Sequence, residues 1–440
     1  MPRAVVEKFL AEALKPDHQR LVVACSGGLD SVCLLDIVAA LRPIHGRPLH
    51  VIHVHHGISP FADEWAAFVQ RRALACQADF SELRVQVQAG GSLEEAAREA
   101  RYRAIGDSLV AGDVLLTAHH RNDQAETVLL RLLRGSGVTG LAAMHPQGRL
   151  PFQQTHVPLW RPLLTISRAE LAAYARCRGL SWVEDDSNTD LRHSRNFLRN
   201  TVIPLLGQRW PRVAEVLSET AVRMRESEHL LNELASLDLQ VVGREGNTLS
   251  IPDLMRFDDV RRMHVLRFWL RRSNLDVPDR AGLRILLREV CAARPDGAPR
   301  YVWRHTEVRR YRDRLYAMPL LEEMVRGPEV VWSDRLLPLP LRDGRILTPQ
   351  AGEGQGASLA KWLGAASVIV GVRRGGERIL LPGREGRKEL KTLFQEAGIP
   401  PWQREHWPLI HVDGELAVVP GLWVSAALQA RDDEASIRIT

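Results

Sequence analysis

Cysteine is scarce in this chain of 440 residues, which contains only five. The five are widely spaced, their number is odd, and no C-x-x-C pair occurs. This pattern argues against a zinc site and against an iron–sulfur cluster, and it favours a reducing compartment.

Other common features are also missing. The N-terminus lacks the apolar core of a secretory signal, and no apolar run is long enough to span a membrane. We therefore expect a cytoplasmic protein with no membrane partner. The G-x-x-x-x-G-K-[ST] motif is absent as well, which disfavours the ordinary P-loop class of nucleotide hydrolases.

Positive charge slightly exceeds negative charge, with 59 Lys and Arg against 53 Asp and Glu and a formal net charge of +6. A polyanionic partner such as nucleic acid is compatible with this excess, although many soluble proteins are equally basic. Hydrophobic residues make up 45% of the chain, which is enough for sizeable cores, and the length predicts two to three domains.

The most informative stretch is an apolar run at residues 21–25, followed by the hexad SGGLDS and an apolar helical pattern at 32–41. A strand, a glycine turn and a helix start can bind an anion, because the backbone can approach a phosphate and its free N–H groups face it. The alternative is an ordinary strand-to-helix turn capped by its first serine. The complete hexad favours a phosphate site, which comprises Ser26, Gly27, Gly28, Leu29, Asp30 and Ser31.

This hexad resembles the SGGxDS pyrophosphate loop of the PP-loop ATP pyrophosphatases. The resemblance implies that ATP is cleaved between its α and β phosphates and that AMP is passed to a substrate. It also implies a Rossmann-like parallel sheet.

Strands and helices alternate along the first part of the chain, which predicts a parallel α/β sheet. The predicted strands are residues 21–25, 49–57 (a strand that runs into a loop), 82–88 and 114–118. Ligands of such sheets bind at the carboxyl ends of the strands, so we expect the loop that begins at His53 to line the ATP site beside the hexad.

One histidine and two carboxylates, His119, Asp123 and Glu126, follow the fourth predicted strand. Asp123 and Glu126 could simply form a capping box at the start of a helix. At the carboxyl end of the sheet they could instead hold Mg²⁺ on phosphates or bind an ammonium group. The G-x-G-x-x-G match at 135–140 follows a helix rather than a strand, so it predicts a helix stop and a substrate-facing loop.

Several blocks within the first 210 residues resemble the tRNA(Ile)-lysidine synthetases. They are HVHHGIS at 53–59, the helix at 94–102, residues 117–144, RPLL at 161–164, WVEDDSN at 182–188 and RHSRNFLRN at 192–200. The resemblance implies an enzyme that ligates free L-lysine to C2 of the wobble cytidine in an isoleucine tRNA with a CAU anticodon. It further implies an adenylated cytidine as intermediate, lysidine, AMP and pyrophosphate as products, and a switch of the tRNA from methionine to isoleucine identity.

This reaction would need Mg²⁺, for which Asp30 is the best candidate ligand. Asp123 and Glu126 are candidates for holding the lysine ammonium and helping to remove its proton, because a protonated amine is not a nucleophile. His119 and Asn196 are further candidate catalytic residues. A PP-loop thiolase is the alternative enzyme, although it would normally need paired cysteines, and a non-catalytic RNA-binding protein is the alternative outside enzymes.

Basic residues form the predicted tRNA surface. Arginines recur at helical spacing between 192 and 199, and arginine-rich segments continue through the C-terminal half. Such residues position an RNA through its phosphates, although a basic face is often only a solvated one. The candidates are Arg98, Arg103, Arg192, Arg195, Arg199, Arg373, Arg374 and Lys388.

We predict a PP-loop catalytic domain of the α/β class, then a mostly helical middle domain that binds tRNA, and a small basic α+β domain. The last of these resembles the C-terminal domain of the longer lysidine synthetases. A homodimer is compatible with the sequence. The predicted boundaries are 1–210 for the catalytic domain, 211–240 for a connecting helix, 241–320 for the middle domain, 321–364 for a linker and 365–440 for the C-terminal domain.

Overall fold

A computed structural model describes the chain except for residues 58, 86–92, 151–156, 185–189, 295–296, 298, 321–328 and 342–343, and except for the side chains of 93–95 and 97. The chain divides into two compact units, Met1–Leu234 and Ala235–Thr440. Within the described part of the chain, no helix is both long and apolar enough to cross a membrane.

The N-terminal unit alternates strands and helices as predicted. Its elements are α1 Pro2–Ala13, β1 Arg20–Ala24, α2 Leu29–Ala40, α3 Arg42–His45, β2 Leu49–His55, α4 Ala62–Ala75, β3 Asp79–Arg84, α5 Leu93–Ser108, β4 Asp113–Leu116, α6 Arg121–Leu133, α7 Val138–Leu141, β5 Gln147–Arg149, β6 Pro158–Trp160, α8 Arg168–Cys177, α9 Ser194–Phe197, a π-helical turn Leu198–Val202, α10 Ile203–Arg209 and α11 Val213–Val242.

Six strands form the central sheet in the order β3-β2-β1-β4-β6-β5. The pairs β3–β2, β2–β1, β1–β4 and β4–β6 are parallel, whereas β5 pairs antiparallel with β6. Successive residues of β1 enter different cores: Leu21 and Val23 pack with α1, α2 and α8, and Val22 packs with α5. Helices therefore cover both faces, which explains why β1 is apolar along its length. The predicted α/β class is confirmed.

The third strand is the one whose predicted position was wrong. It lies at Asp79–Arg84 rather than at 82–88, of which residues 86–88 fall outside the described part of the chain. β3 is an edge strand and is only partly buried, so its sequence lacks a clear apolar period. Residue 58 of the HVHHGIS block and residues 185–188 of the WVEDDSN block also fall outside the described part.

The second unit begins within α11. Its further elements are β7 Gly243–Arg244, β8 Thr248–Ser250, α12 Ile251–Leu254, α13 Asp259–Arg272, α14 Arg280–Ile285, a π-helical turn Leu286–Cys291, β9 Arg300–Trp303, β10 Thr306–Tyr311, β11 Arg314–Pro319, β12 Val330–Val331, β13 Leu339–Pro340, β14 Ile346–Leu347, β15 Pro349–Glu353, β16 Ala357–Ser358, α15 Leu359–Gly364, β17 Val368–Val372, β18 Arg378–Ile379, β19 Lys388–Glu389, α16 Leu390–Glu396, α17 Pro401–Arg404, β20 Pro408–Val412, β21 Glu415–Val419, β22 Trp423–Val424 and β23 Ala435–Ile439.

The middle part of this unit packs α13 and α14 against an antiparallel sheet in the order β7-β8-β11-β10-β9. The C-terminal part contains a sheet in the order β12-β17-β20-β21-β22 and another in the order β15-β23-β16. Strands of the predicted linker thus pair with C-terminal strands: β12 with β17, and β15 and β16 with β23. This corrects the linker prediction. These strands are only two to five residues long, and the segment around them is rich in Gly and Pro. Their hydrophobic pattern therefore shows no two-residue period that could identify them.

Candidate active site

The hexad forms the turn between β1 and α2, at the carboxyl end of the sheet. Gly27 has a φ of +90°, and a Cβ there would lie 2.9 Å from Cγ2 of Val183, so glycine is required twice over. Gly28 is the N-cap of α2 and has no side chain that could accept from the first N–H groups of the helix, while its own N–H donates to Ser26 Oγ (3.4 Å). The first N–H groups of α2 are therefore available to an anion.

Two serine hydroxyl groups stabilise this loop through contacts within it. Ser31 Oγ donates to the carbonyl oxygen of Gly28 (2.9 Å) and lies 3.3 Å from Ser26 Oγ. His53, at the end of β2, lies with Nδ1 2.9 Å from the carbonyl oxygen of Cys25. His53 is buried, and burial lowers its pKa, so a neutral ring ties β2 to the residue that precedes the loop.

A single histidine, His120, connects the hexad to the carboxylates of α6. His120 Nε2 lies 3.4 Å from Asp30 Oδ2, and His120 Nδ1 lies 3.5 Å from Asp123 Oδ2. The ring also caps α6, because it accepts from the Asp123 N–H (3.3 Å) while the Asp123 carboxylate accepts from the His120 N–H (3.0 Å). A capping box therefore forms, but His120 is its N-cap and Asp123 its third helical residue, so the predicted box of Asp123 with Glu126 is wrong.

Arg199 pairs with both candidate carboxylates. Its Nη2 donates to Asp123 Oδ1 (2.7 Å) and to Glu126 Oε2 (3.0 Å), and its Nε donates to Glu126 Oε1 (2.6 Å). Arg195 lies next to them, with Nε 3.8 Å from Glu126 Oε2 and Nη2 3.3 Å from Thr127 Oγ1. Two acids and two guanidinium groups therefore form one buried charged cluster at the start of α6.

Burial and charge act in opposite directions on these groups. Burial raises the pKa of Glu126 in spite of Arg199. Burial would also raise the pKa of Asp123, but the charges of its histidine neighbours and Arg199 outweigh it and the pKa is lowered. Burial would lower the pKa of His120, but Asp30 and Asp123 outweigh it and the pKa is raised. Glu126 is thus the better proton acceptor of the two carboxylates.

His119 has a different environment from its neighbour. Its Nδ1 lies 2.9 Å from Thr117 Oγ1, and burial lowers its pKa to about 3, with arginines nearby acting in the same direction. His119 is therefore a neutral hydrogen-bonding group at neutral pH.

A cavity of about 490 Å³ opens beside Glu126 and the first residue of α2. Apolar surface and charged groups of both signs line it, which suits a small zwitterion with a long aliphatic stem. The main lining residues are Leu29, Trp182 and Ile203 on the apolar side and Glu126, Glu184, Arg168 and Arg199 on the charged side.

Asp30 is the residue of this site that is best suited to bind Mg²⁺. Its Oδ1 is buried and finds no hydrogen-bond partner among the described residues, and a carboxylate oxygen is a preferred Mg²⁺ ligand. Within the described residues no group of three or more His, Cys, Asp or Glu could hold a metal ion alone. The donor set fits an ion whose remaining ligands are phosphate oxygens and water.

Several predicted tRNA-binding arginines are placed differently from the prediction. Arg195 and Arg199 were expected to face tRNA, but their guanidinium groups contact the α6 carboxylates. Arg192 pairs with Asp190 (2.7 Å), and Arg103 pairs with Glu99 (2.5 Å).

Arg98 is exposed and lies over the ring of Tyr102 at 5.1 Å. Asn196 donates to the carbonyl oxygen of Asp190 (3.1 Å). In the second unit, Arg373 pairs with Glu377 (3.3 Å), Arg374 with Glu329 (2.9 Å) and Lys388 with Glu396 (2.5 Å).

Sequence reasoning missed His120 and the role of Arg199. The doublet at 119–120 offered two histidines, and only the strand register decides which of them faces the hexad. For Arg199 a signal was present, because Arg195 and Arg199 recur at i, i+4 and so share one helix face, but nothing local identified the carboxylates opposite them.

Comparison with known proteins agrees with this geometry. Three family models match: a PP-loop domain at residues 2–206, a TilS substrate binding domain at 249–316 and a TilS substrate C-terminal domain at 368–440. The chain is 41% identical over 412 residues to a tRNA(Ile)-lysidine synthase from Alkalilimnicola ehrlichii, which covers 93% of this chain and 91% of that protein.

Two further relatives extend the similarity. A tRNA(Ile)-lysidine synthase from Serratia proteamaculans is 41% identical over 425 residues, covering 96% of this chain and 95% of that protein. One from Methylococcus capsulatus is 39% identical over 422 residues, covering 94% of each. The predicted resemblance is confirmed, and the chain belongs to the tRNA(Ile)-lysidine synthase family.

Proposed function

We propose that this chain ligates L-lysine to C2 of the wobble cytidine of an isoleucine tRNA with a CAU anticodon, at the expense of ATP. The observation that carries the proposal is the link through His120 between the phosphate loop and the α6 carboxylates, with contacts of 3.4 and 3.5 Å. It brings a site for pyrophosphate next to a site for an ammonium group.

The first step activates the base. The cytidine O2 attacks the α-phosphate of ATP, and pyrophosphate leaves. The residues that receive the phosphates are Ser26 to Ser31, through the free N–H groups at the start of α2 and the two hydroxyls. When bound by Asp30, Mg²⁺ supplies charge screening between the phosphate groups.

The second step attaches lysine. The ε-amine attacks C2 of the adenylated cytidine, a C–N bond forms, and AMP leaves with the former O2. The ammonium group must first lose a proton, and Glu126, whose pKa is raised by burial, is the proposed acceptor. Arg199, which Asp123 also binds, holds the Glu126 side chain in position, and the cavity offers apolar surface to the lysine stem.

The tRNA has to present the wobble base splayed out of its stack. Arg98 and the second unit are the proposed contacts to the RNA backbone, because phosphate contacts position an RNA without reading sequence. ATP, Mg²⁺, L-lysine and tRNA are thus the proposed ligands.

The decisive experiment is mass spectrometry of nucleosides from a bulk tRNA pool after incubation with the protein, ATP and lysine. We expect cytidine that has gained lysine with loss of water, and only when all components are present. Sulfur incorporation would instead favour a thiolase, and unchanged nucleosides in spite of tRNA binding would favour a non-catalytic RNA-binding protein.

A further inference from the structure

Part of the outer face of the middle sheet is covered although its side chains are polar. Along β10, Val308 enters the core with the helices, whereas Glu307 and Arg309 lie on the opposite face, and Tyr316 of β11 is the cross-strand partner of Arg309. A sheet with one covered face normally exposes such residues to water. Glu307 is nevertheless 0% exposed.

A single tryptophan of the C-terminal part, Trp402 in α17, packs on this face. Its ring meets Tyr316 edge-to-face at 5.4 Å and Tyr311 at 6.2 Å, and the guanidinium of Arg309 lies over it at 5.2 Å. Trp402 is 7% exposed. Aromatic and cation–π contacts of this kind each add to the burial of the ring.

Two arginines fasten the edges of this contact. Arg404 donates to the Tyr311 hydroxyl (3.0 Å) and to the carbonyl oxygen of Ile399 (2.6 Å). In the other direction, Arg312 of the middle part donates to the carbonyl oxygen of Gln395 (2.7 Å). We call the set Arg309, Tyr311, Arg312, Tyr316, Trp402 and Arg404 the Trp402 joint.

An ion pair lies beside the joint. Glu307 and Arg309 contact each other through Oε2 and Nη2 at 2.9 Å. The Glu307 side chain is fully buried and that of Arg309 is 18% exposed, so this pair is largely shielded from water.

We propose that the Trp402 joint fixes the middle and C-terminal parts of the second unit as one body, so that both bind the same tRNA. Trp402 is then a positioning residue, which acts on RNA binding without contacting RNA. This inference rests on the proposed tRNA binding. Fixing the two parts should raise the affinity for tRNA. Once one part has bound, a rigidly attached second part meets the same tRNA at a higher effective concentration than a loosely attached one.

The first test is hydrogen exchange on the full chain. We expect Trp402→Ala to speed exchange in β10, β11 and α17 while β1 and α2 keep their wild-type rates. Trp402→Phe keeps a ring and should keep most of the protection. Arg312→Met, which removes one hydrogen bond at the edge, provides a milder variant if Trp402→Ala fails to fold. Wild-type exchange in both Trp402→Ala and Arg312→Met would overturn the joint.

The second test measures tRNA binding by the same variants. We expect Trp402→Ala to raise the dissociation constant for tRNA about tenfold and to flatten its salt dependence. ATP binding should be unchanged. Trp210→Ala, which removes a 58% exposed tryptophan of the other unit, is the matched control and should bind as the wild type does. Faster exchange with unchanged tRNA affinity would overturn the positioning role. A wild-type chain that binds no tRNA would refute the proposed function instead. The hydrogen-exchange experiment would still test the Trp402 joint, because it needs no tRNA.

Discussion

Charged residues are used differently in the α6 cluster of the N-terminal unit and on the C-terminal surface of the second unit. In the α6 cluster, an ion pair joins Arg199 and Glu126, which are 73 positions apart, and the Glu126 side chain is 1% exposed. In the C-terminal part of the second unit, Arg387 and Glu415 are 28 positions apart, and both side chains are more than half exposed.

This difference matches the roles proposed for the two regions, which are catalysis for the α6 cluster and RNA binding for the C-terminal surface. Disrupting a buried ion pair costs much stability, since losing one partner leaves a buried charge less well compensated. Such a pair can also hold a substrate ion in a defined geometry. An exposed pair contributes little to stability and can exchange its partner for an RNA phosphate. The predictions that follow test this contrast, from the largest effect to the smallest.

The largest effect should follow from Asp30→Ala in the phosphate loop. The side chain is the proposed Mg²⁺ ligand and the partner of His120, so we expect tRNA-dependent pyrophosphate release to fall on the order of 1000-fold. Binding of tRNA should change little, because the second unit is intact. Asp17→Ala, at an exposed position of the same unit, should be active. Turnover near the wild-type rate would refute the assignment of the phosphate loop.

Glu126→Gln should divide the two steps of the reaction. The amide keeps the size of the side chain but cannot accept the lysine proton, so we expect lysidine formation to fall about 100-fold. Adenylated tRNA should accumulate, because the phosphate loop is unchanged, and mass spectrometry of the tRNA can detect it. Loss of adenylation in this variant would show that Glu126 serves the phosphates or their metal rather than the amine.

Arg199→Met compares the stability of a buried cluster with that of an exposed pair. Removal of the guanidinium takes away the cation that hydrogen-bonds both Asp123 and Glu126, so we expect the free energy of unfolding to fall by about 3 kcal/mol. Arg387→Met, in the exposed pair with Glu415, should cause no measurable change. Pulse proteolysis in urea can measure both. Equal losses of unfolding free energy in the two variants would contradict the contrast between the buried cluster and the exposed pair.

The pH dependence of stability should reveal His119. Burial lowers its folded pKa to about 3, whereas an unfolded histidine titrates near 6.5. The contribution of His119 to stability is therefore complete above about pH 6.5 and is lost as the pH falls towards 3, because the unfolded state binds the proton first. His119→Asn should flatten the loss between pH 7 and 5 in urea unfolding. An unchanged slope would mean that His119 is charged in the folded state.

The smallest effect should come from the basic C-terminal surface. Arg373, Arg374 and Lys388 are paired with carboxylates, so we expect Arg384 and Lys391 to contribute more to RNA binding. Changing both to Gln should reduce the slope of log affinity against log salt by about 1 to 2. Lys8→Gln in α1 is the control. An unchanged slope in the double variant would indicate that this surface is only solvated.

Much of the N-terminal unit could be predicted from its sequence. Strands β1, β2 and β4 lie within about two residues of their predicted positions, because each is an apolar run that ends at a polar loop. The hexad could be recognised because a strand, two glycines and a helix start are neighbours in sequence. The strands β12, β15 and β16 could not, because strands of two to five residues have no measurable period and are stabilised by distant partners.

The sequence by itself determined the phosphate loop, the alternation of strands and helices and the identity of the two carboxylates at the start of α6. Those features depend on residues that are close together along the chain. Only the tertiary structure decided that His120 bridges Asp30 and Asp123 and that Arg199 neutralises Asp123 and Glu126. The Trp402 joint belongs to the same class, because side chains meet there from segments about 90 residues apart. The physical reason is that an ion pair or a ring contact depends on distance and burial in space, and a local pattern records neither.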